Sequence, residues 1–286
     1  MARHDVSDNV VLVTGGARGI GYATAEALLR RGARVMIVDL EDKDPKAAAE
    51  RLHRDRAAGV VADIADREAI QRAVDETVRH FGRIDVLVAN AGVGTQGATF
   101  RAMPVETFRR VLDVDLHGTI HTVDCALPHI IRSRGHIVIV SSAYAFLNGT
   151  GAVPYSIAKA GIEQLGRALR VELARHGANA GVAYFGFVST DMVREMVDQD
   201  PLGDAAQTIM PRPMRKRASA KAAGEAIARG IERRSARIIV PRRWALLQFF
   251  RGIINPVSDE WLRRNKDLRP LLYEFDTRGD ARPVPE

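Results

Sequence analysis

The residues of this chain best suited to proton transfer are a tyrosine and a lysine four positions apart. Tyr155 and Lys159 lie in the pentapeptide YSIAK, and residues at this spacing share one face of a helix. A neighbouring ammonium stabilises a phenolate and so lowers the tyrosine pKa from its ordinary value of about 10. We therefore predict that Tyr155 is a general acid or base. The competing interpretation is a surface pair. Ser142, thirteen residues before Tyr155, favours a reactive site because it ends an apolar run.

A glycine-rich stretch, TGGARGIG at 14–21, separates the apolar run VVLV from a helical pattern. Gly15, Gly19 and Gly21 permit a tight turn that brings the backbone close to a pyrophosphate. The helix that begins near Ile20 directs its free N–H groups at that charge. No Lys-Ser/Thr pair follows the glycines, which excludes the motif of phosphate-loop NTPases. An ordinary strand-to-helix turn remains the alternative.

Asp39 ends the second apolar run, eighteen residues after Gly21. A carboxylate at this place accepts hydrogen bonds from an adenosine ribose and repels a 2′-phosphate. Glu41 and Asp42 add to that repulsion, whereas Arg18 in the glycine-rich stretch favours a 2′-phosphate. We predict that NAD(H) is bound in preference to NADP(H).

Short β-branched runs alternate with longer helical patterns along the chain, which is typical of a parallel sheet covered by helices on both faces. The predicted strands are 10–14, 34–39, 59–63, 85–90, 136–142, 179–185 and 237–241. The predicted helices are 20–30, 45–56, 66–81, 104–132, 153–176 and 219–234. The sequence thus predicts a doubly wound α/β Rossmann fold with a mostly parallel seven-stranded sheet.

The predicted sheet and helices place residues 1–241 in one domain. The stretch 189–218 carries three prolines and mixed polarity after the sixth strand, so we expect a substrate lid there. Residues 242–286 form a C-terminal helical extension that packs on the domain or on a neighbouring subunit. Its Pro-containing end is expected to be frayed.

The composition points to a globular protein with a basic surface. The chain has 286 residues, 46% of them hydrophobic, and a net charge of +7. A single cysteine, Cys125, excludes an internal disulfide, and no apolar run indicates a signal peptide or membrane span; we expect a cytoplasmic protein. The basic segment, residues 212–251, has twelve Lys or Arg against two acids. It is either a solvated face or a site for acidic substrates or anionic lipid.

Together these motifs resemble the short-chain dehydrogenase/reductase family. The resemblance rests on TGGARGIG, on ANAG at 89–92, on Asp39, and on a serine thirteen residues before YSIAK, all in the family's order. It covers roughly residues 8–241. It implies that Ser142 orients the substrate oxygen and that Tyr155 exchanges a proton with it. Lys159 is implied to hold the nicotinamide ribose and depress the tyrosine pKa.

The resemblance also assigns further cofactor contacts. Asp63 and Ile64 match an adenine-contacting pair, although Asp63 is alternatively a helix cap. Asn90, Ala91 and Gly92 match a stretch that supports the sheet and passes the adenosine ribose. Val188 and Thr190 match the residues that bind the nicotinamide carboxamide.

Two positions depart from the family pattern. Asp115 stands where the family usually has an Asn that supports a proton relay to the lysine. A carboxylate there stabilises the Lys159 ammonium and partly offsets its pull on the tyrosine proton, which predicts an alkaline optimum for oxidation. Phe185-Gly186 replaces the usual Pro-Gly, which restores a backbone N–H.

Other patterns favour structural interpretations. His117 and His121 lie four apart, but no HExxH motif is present, and we predict no metal site. The stripe WALLQFF favours core or subunit packing over peripheral membrane contact, and no nucleic-acid module is recognised.

The predicted function is NAD(H)-dependent interconversion of a secondary alcohol and a ketone. Four lid methionines indicate an adaptable apolar pocket for a hydrophobic substrate; they are Met192, Met196, Met210 and Met214. One alternative is an NADP(H)-dependent 3-oxoacyl carrier-protein or coenzyme A reductase. Another is an NAD-binding regulator with little turnover. The resemblance implies a homo-oligomer, a tetramer or a dimer.

Overall fold

Apolar runs form the strands of a parallel sheet, as the sequence predicts. The computed structural model describes residues 4–278, and the bounds of its strands and helices refer to that part of the chain. The strands are β1 (Val10–Thr14), β2 (Arg34–Asp39), β3 (Ala57–Val61), β4 (Val86–Ala89), β5 (His136–Ser142), β6 (Asn179–Phe185), β7 (Val188–Ser189), β8 (Ala218–Ser219) and β9 (Arg237–Val240). Seven of these described strands form one all-parallel sheet in the order β3-β2-β1-β4-β5-β6-β9.

Helices cover both faces of this sheet. The described α-helices are α1 (Gly19–Leu29), α2 (Pro45–Leu52), α3 (Arg67–Phe81), α4 (Val105–Leu112), α5 (Thr119–Ser133), α6 (Val153–Glu172), α7 (Asp191–Val193), α8 (Pro201–Ile209), α9 (Arg212–Arg215), α10 (Ala220–Glu232), α11 (Trp244–Phe249), α12 (Arg251–Arg264) and α13 (Leu268–Asp276). The doubly wound Rossmann fold with a C-terminal helical extension is therefore confirmed.

Alternate strand residues face two separate apolar cores. Val11 and Val13 of β1 pack in one core with α1 and α10, whereas Val10 and Leu12 pack in the other with α3, α5 and α6. Because both faces of each central strand are buried, the strands have continuous rather than alternating apolar sequences.

Several predicted boundaries were wrong by a few residues. The third strand lies at 57–61, so Asp63 follows it instead of ending it. The single helix predicted at 104–132 is α4, a π-helical turn at Asp113–Gly118, and α5. Hydrophobic periodicity does not reveal this turn because side chains on both sides still face the same core.

The lid segment, residues 189–218, is closed at its base by the two-stranded pairing of β7 with β8. Between these strands lie α7, a π-helical turn at Arg194–Asp198, α8 and α9. The segment therefore has its own secondary structure rather than an irregular loop.

The C-terminal extension packs on this lid. Leu268, Leu271 and Phe275 of α13 are buried against Leu202 and other apolar residues of α8. The guanidinium of Arg278 forms a buried ion pair with the Asp200 carboxylate that caps α8. The Asp276 carboxylate also accepts a hydrogen bond from Thr99. The predicted frayed end falls on residues 279–286, which lie outside the described residues.

Candidate active site

The predicted reactive side chains meet where the order of strands reverses between β1 and β4, the place where ligands bind in open α/β sheets. Ser142 is the last residue of β5, and Tyr155 and Lys159 lie in the first turns of α6. Asp115 lies in the π-helical turn between α4 and α5. Three segments that are distant in sequence thus contribute to one site.

A buried ion pair is the electrostatic centre of the site. The Lys159 Nζ lies 3.1 Å from Oδ2 of Asp115, and both side chains are almost completely buried. The other carboxylate oxygen of Asp115 accepts a hydrogen bond of 2.7 Å from the Val93 amide. Burial raises the pKa of Asp115, and the contacts with Lys159 and Val93 oppose that rise. Burial alone would lower the pKa of Lys159, but Asp115 and Tyr155 raise it above its ordinary value, so the ammonium form is retained.

The pKa of Tyr155 is raised above its ordinary value, opposite in sign to the effect expected from Lys159 alone. Burial of the phenol is the main cause, since it disfavours the phenolate, and the Asp115 carboxylate acts in the same direction. The Lys159 ammonium, 5.2 Å from the centre of the tyrosine ring, and a hydrogen bond with Ser142 oppose the rise. Tyr155 therefore holds its proton at neutral pH.

Ser142 lies beside Tyr155 at the end of β5. Its Oγ accepts a hydrogen bond of 3.3 Å from the Tyr144 amide and donates one of 3.4 Å to the Phe185 carbonyl. The ring of Tyr144 packs edge-on against that of Tyr155, with 5.8 Å between centroids. These contacts fix the serine hydroxyl and the reactive phenol on the same wall.

The glycine-rich stretch has the shape that a pyrophosphate needs. Gly15 and Gly19 have positive φ angles of 62° and 58°. A Cβ at Gly21 would collide with the Gly15 carbonyl oxygen, so only glycine allows this turn. The Asn90 side chain donates hydrogen bonds of 3.0 Å to the carbonyls of Thr14 and Gly15. Bare backbone is therefore presented at the start of α1, in keeping with a dinucleotide.

Asp39 and Arg18 lie at the outer end of the site. The Asp39 carboxylate accepts hydrogen bonds of 2.9 Å from the amides of Ala17 and Leu40. The guanidinium of Arg18 turns the other way, to 3.6 Å from Asp191 and 4.0 Å from Glu195 in the lid.

The remaining predicted residues have local structural roles as well. The Asp63 carboxylate accepts a hydrogen bond of 2.9 Å from the Ala65 amide, and Ile64 is buried against the core. The Thr190 hydroxyl accepts a hydrogen bond of 3.4 Å from Val193 and caps α7, two residues after Val188.

Two cavities adjoin at Ser142 and Tyr155. The larger, of about 290 Å³, is lined by most of the predicted residues. They are Gly15, Arg18, Gly19, Ile20, Asp39, Asp63, Ile64, Asn90, Ala91, Gly92, Ser142, Tyr155, Lys159, Val188 and Thr190. Gly21 and Asp115 lie behind its surface. The glycine-rich stretch, the Asp39 carboxylate, and Ser142 with Tyr155 all line one continuous cavity. The residues present therefore fit an extended dinucleotide.

The smaller cavity, of about 100 Å³, is mostly apolar and lies under the lid. Met192, Met196 and Met210 line it as predicted, whereas Met214 packs in a separate cluster that includes Trp244. Three aromatic residues of its wall, Tyr144, Phe187 and Trp244, were not assigned to it individually from the sequence. The position of Tyr144, two residues after Ser142, could have indicated that it lies near the site. Trp244 comes from the extension, and no motif in the sequence links it to the site.

The other candidates stand apart from this site. His117 is exposed and lies 3.2 Å from Asp113, while His121 lies 3.3 Å from the Ile64 carbonyl. In the described range 4–278, no three His, Cys, Asp or Glu side chains cluster as metal ligands. No helix of that range is long and apolar enough to cross a membrane.

The fold and site define an oxidoreductase of the nicotinamide-dependent alcohol dehydrogenase class. A sequence model described as short chain dehydrogenase matches residues 9–201, so the chain belongs to the short-chain dehydrogenase/reductase family. It is therefore an alcohol/ketone oxidoreductase.

Named relatives are similar in sequence and structure. The cis-4-hydroxycyclohexanecarboxylate dehydrogenase of Sinomonas cyclohexanicum is 35% identical over 78% of this chain and 88% of that protein. A (2S)-[(R)-hydroxy(phenyl)methyl]succinyl-CoA dehydrogenase subunit of Thauera aromatica is 35% identical over 68% of this chain and 79% of that protein. The carveol dehydrogenase of Mycobacterium avium, solved in complex with NAD, has a TM-score of 0.72 and 27% identity over 83% of this chain and 97% of that chain.

Proposed function

We propose that this chain is an NAD(H)-dependent dehydrogenase that interconverts a hydrophobic secondary alcohol and its ketone. The observation that carries the proposal is the junction of the two cavities at Ser142 and Tyr155. One cavity has the backbone cradle and carboxylate suited to a dinucleotide, and the other has an apolar lining suited to a substrate. The similarity to a carveol dehydrogenase solved with NAD supports the same assignment.

Distinct residues hold the two ends of the cofactor in this proposal. The glycine-rich stretch holds the pyrophosphate, Asp39 the adenosine ribose, and Lys159 the nicotinamide ribose. Val188 and Thr190 bind the carboxamide, and Asp63, with the stretch from Asn90 to Gly92, borders the adenosine. The nicotinamide supplies or accepts the hydride when bound.

The proton chemistry belongs to the protein. In ketone reduction, Tyr155 Oη donates its proton to the substrate oxygen, and the Ser142 hydroxyl orients that oxygen by a hydrogen bond. The Lys159 ammonium stabilises the phenolate left behind. In alcohol oxidation the phenolate accepts the proton, so this direction requires a tyrosine that has already ionised.

Cofactor preference is supported by the charges at the outer end of the larger cavity. Asp39 is held by two backbone amides with its negative charge at the cavity wall. A 2′-phosphate at this place would meet that charge. Of the cations that line this cavity, Arg18 is directed at two lid acids and Lys43 is paired with Asp42. The balance favours the unphosphorylated ribose of NAD(H).

Replacing Asp39 with Asn is expected to change the kcat/KM ratio of NADH to NADPH by about tenfold or more in favour of NADPH. The amide keeps an acceptor for the Ala17 amide but removes the charge, and a hydrogen bond to a charged group contributes about 1.5–3 kcal/mol. Dissociation constants of both cofactors, measured by fluorescence, would show whether binding changes.

Glu50→Gln is the matched control, since Glu50 is an exposed acid on α2 that is not part of the lining of the larger cavity. It should leave the cofactor ratio close to that of the wild type. An unchanged ratio in Asp39→Asn would contradict the proposed role of Asp39.

Asp115→Asn is expected to move the pH–rate profile of alcohol oxidation toward lower pH. The Asp115 carboxylate raises the pKa of Tyr155, so its removal lowers the pH at which the phenolate forms. The profiles of kcat/KM for the two proteins would be compared between neutral and alkaline pH. Asp113→Asn, on the same turn but exposed, is the control. Superimposable profiles of Asp115→Asn and wild type would rule out this role.

A coenzyme A thioester is the second candidate substrate. The similarity to a succinyl-CoA dehydrogenase subunit favours it, and the basic segment offers cations for an acidic carrier. Turnover of NADH and NADPH would be measured with apolar ketones and with acetoacetyl-CoA. Faster reduction of the ketones supports the hydrophobic substrate, and faster reduction of the thioester supports the second candidate.

A further inference from the structure

The outer face of α11 and α12 is an exposed apolar stripe. It consists of Leu246, Phe249, Phe250, Ile253, Val257 and Trp261, which are 45–72% exposed. Their spacing of three or four residues places them along one side of consecutive helical turns. Contiguous exposed apolar patches of this kind mark interaction sites in folded proteins.

The stripe is exposed because the opposite side of the two helices already anchors the extension. Trp244 and Gln248, which lie on the inner side of α11, are buried. At the start of α12, the Arg251 guanidinium lies 2.8 Å from the buried carboxylate of Glu163 on α6. Further along, the Asp259 carboxylate accepts a hydrogen bond of 2.9 Å from the side-chain amide of Asn148. The stripe therefore points outward on a firmly held support.

The charges around the stripe are mainly positive. No Asp or Glu occurs from 242 to 258, and the Arg243 guanidinium donates a hydrogen bond to the Lys216 carbonyl, which brings the exposed residue Lys216 to the start of α11. Arg242 is exposed one turn before Leu246. At the other end, the cations Arg263, Arg264 and Lys266 are balanced by Asp259, Glu260 and Asp267, so the excess positive charge lies at the start of α11.

We propose that this stripe binds the surface of a bilayer that contains anionic phospholipid. Large apolar and aromatic side chains with cations beside them are the features of helices that lie in the membrane interface. A second copy of this chain fits less well at the start of α11, since a two-fold contact there would bring the same cations against each other. Charge complementarity therefore selects the anionic bilayer.

The position of the stripe also relates it to the smaller cavity. Trp244, the first residue of α11, lines that cavity, and the exposed stripe begins two residues later. A bilayer bound to the stripe would lie close to the apolar cavity. The proposal itself does not depend on the reaction or its substrate.

Vesicle sedimentation tests the proposal with the full-length protein. The vesicles are phosphatidylcholine alone or phosphatidylcholine mixed with phosphatidylglycerol, each at low and high ionic strength. The wild type should sediment with the anionic vesicles, and high salt should weaken this binding. The triple variant Leu246→Ser, Phe249→Ser and Ile253→Ser should lower the partition coefficient by about a hundredfold or more, because three large apolar side chains are lost.

A second variant and a control separate charge from apolar contact. Arg242→Gln should lower binding to anionic vesicles by about fivefold. The control, Val171→Ser with Tyr273→Ser, changes residues that are 76% and 72% exposed on α6 and α13, away from the stripe, and should bind like the wild type. Urea unfolding of all variants checks that each is folded.

Three results would overturn the proposal. The first is wild-type protein that stays in the supernatant with anionic vesicles. The second is equal binding to phosphatidylcholine alone. The third is a wild-type dimer that binds no vesicles and that the triple variant converts to a monomer in analytical ultracentrifugation, which would make the stripe a subunit interface.

Discussion

Replacing Tyr155 with Phe is expected to lower kcat for ketone reduction by on the order of 10²- to 10⁴-fold, while NADH still binds. The substitution removes the only proton that Tyr155 offers to the substrate oxygen, and positioned general acids contribute an effect of about this size. The ring remains, so its packing against Tyr144 is retained. Single-turnover rates and the dissociation constant of NADH would be measured on the same preparations.

Tyr144→Phe is the matched control. It removes a hydroxyl from the neighbouring ring, where one neutral hydrogen bond contributes at most about 1.5 kcal/mol, or roughly tenfold. If Tyr144→Phe were as inactive as Tyr155→Phe, the role of proton donor could no longer be assigned to Tyr155 alone. Full activity of Tyr155→Phe would refute the proposed acid.

Replacing Lys159 with Met is expected to lower the free energy of unfolding by about 3–5 kcal/mol at pH 8. The substitution leaves Asp115, which has no exposed surface, without the cation 3.1 Å from its carboxylate. Activity should also be lost, because the same ammonium stabilises the phenolate of Tyr155. Urea unfolding measures the stability and NADH oxidation measures the activity.

The stability lost in Lys159→Met should depend on pH. Burial raises the Asp115 pKa, and loss of Lys159 would remove a contact that opposes the rise. An acid whose folded pKa exceeds its unfolded pKa makes the folded state more stable at lower pH, because the folded state then binds the proton more tightly. Lys159→Met should therefore lose less stability at pH 5.5 than at pH 8, relative to the wild type at each pH.

The double variant Lys159→Met with Asp115→Asn separates stability from chemistry. It should regain most of the lost stability, because the uncompensated charge is gone, yet remain inactive. A double variant no more stable than Lys159→Met alone would show that the lysine stabilises the fold by packing rather than by pairing with Asp115.

The sheet and the reactive residues were predictable from sequence for physical reasons. Both faces of a parallel strand are buried, so its apolar run is long and unambiguous. The glycine-rich stretch follows β1 and YSIAK follows β5, so the parallel sheet brings both to the edge where its strands end. The upward pKa shift of Tyr155 was harder to predict from sequence, because it depends on burial and on the Asp115 carboxylate, forty positions away in sequence.

The walls of the smaller cavity were only partly predictable. Trp244 reaches it from the extension, and its neighbour in space, Gly186, lies 58 residues earlier in the chain. Such a long-range contact leaves no signal in the composition or in the hydrophobic periodicity of the sequence. The π-helical turn that holds Asp115 was missed for a similar reason, since the helical apolar pattern continues through it.

The packing of α13 on the lid joins two segments that lie mostly beyond the family match. The family model stops at residue 201, where α8 begins, so it covers the strands and loops that carry Ser142, Tyr155 and Lys159. Most of the lid, together with the extension clamped to it through Arg278 and Asp200, lies beyond that match. Changes in the lid and in the extension can therefore reshape the chamber over Tyr155 while the strands and helices that carry Ser142, Tyr155 and Lys159 stay the same, and exchange of these two segments between relatives becomes a route to new selectivity.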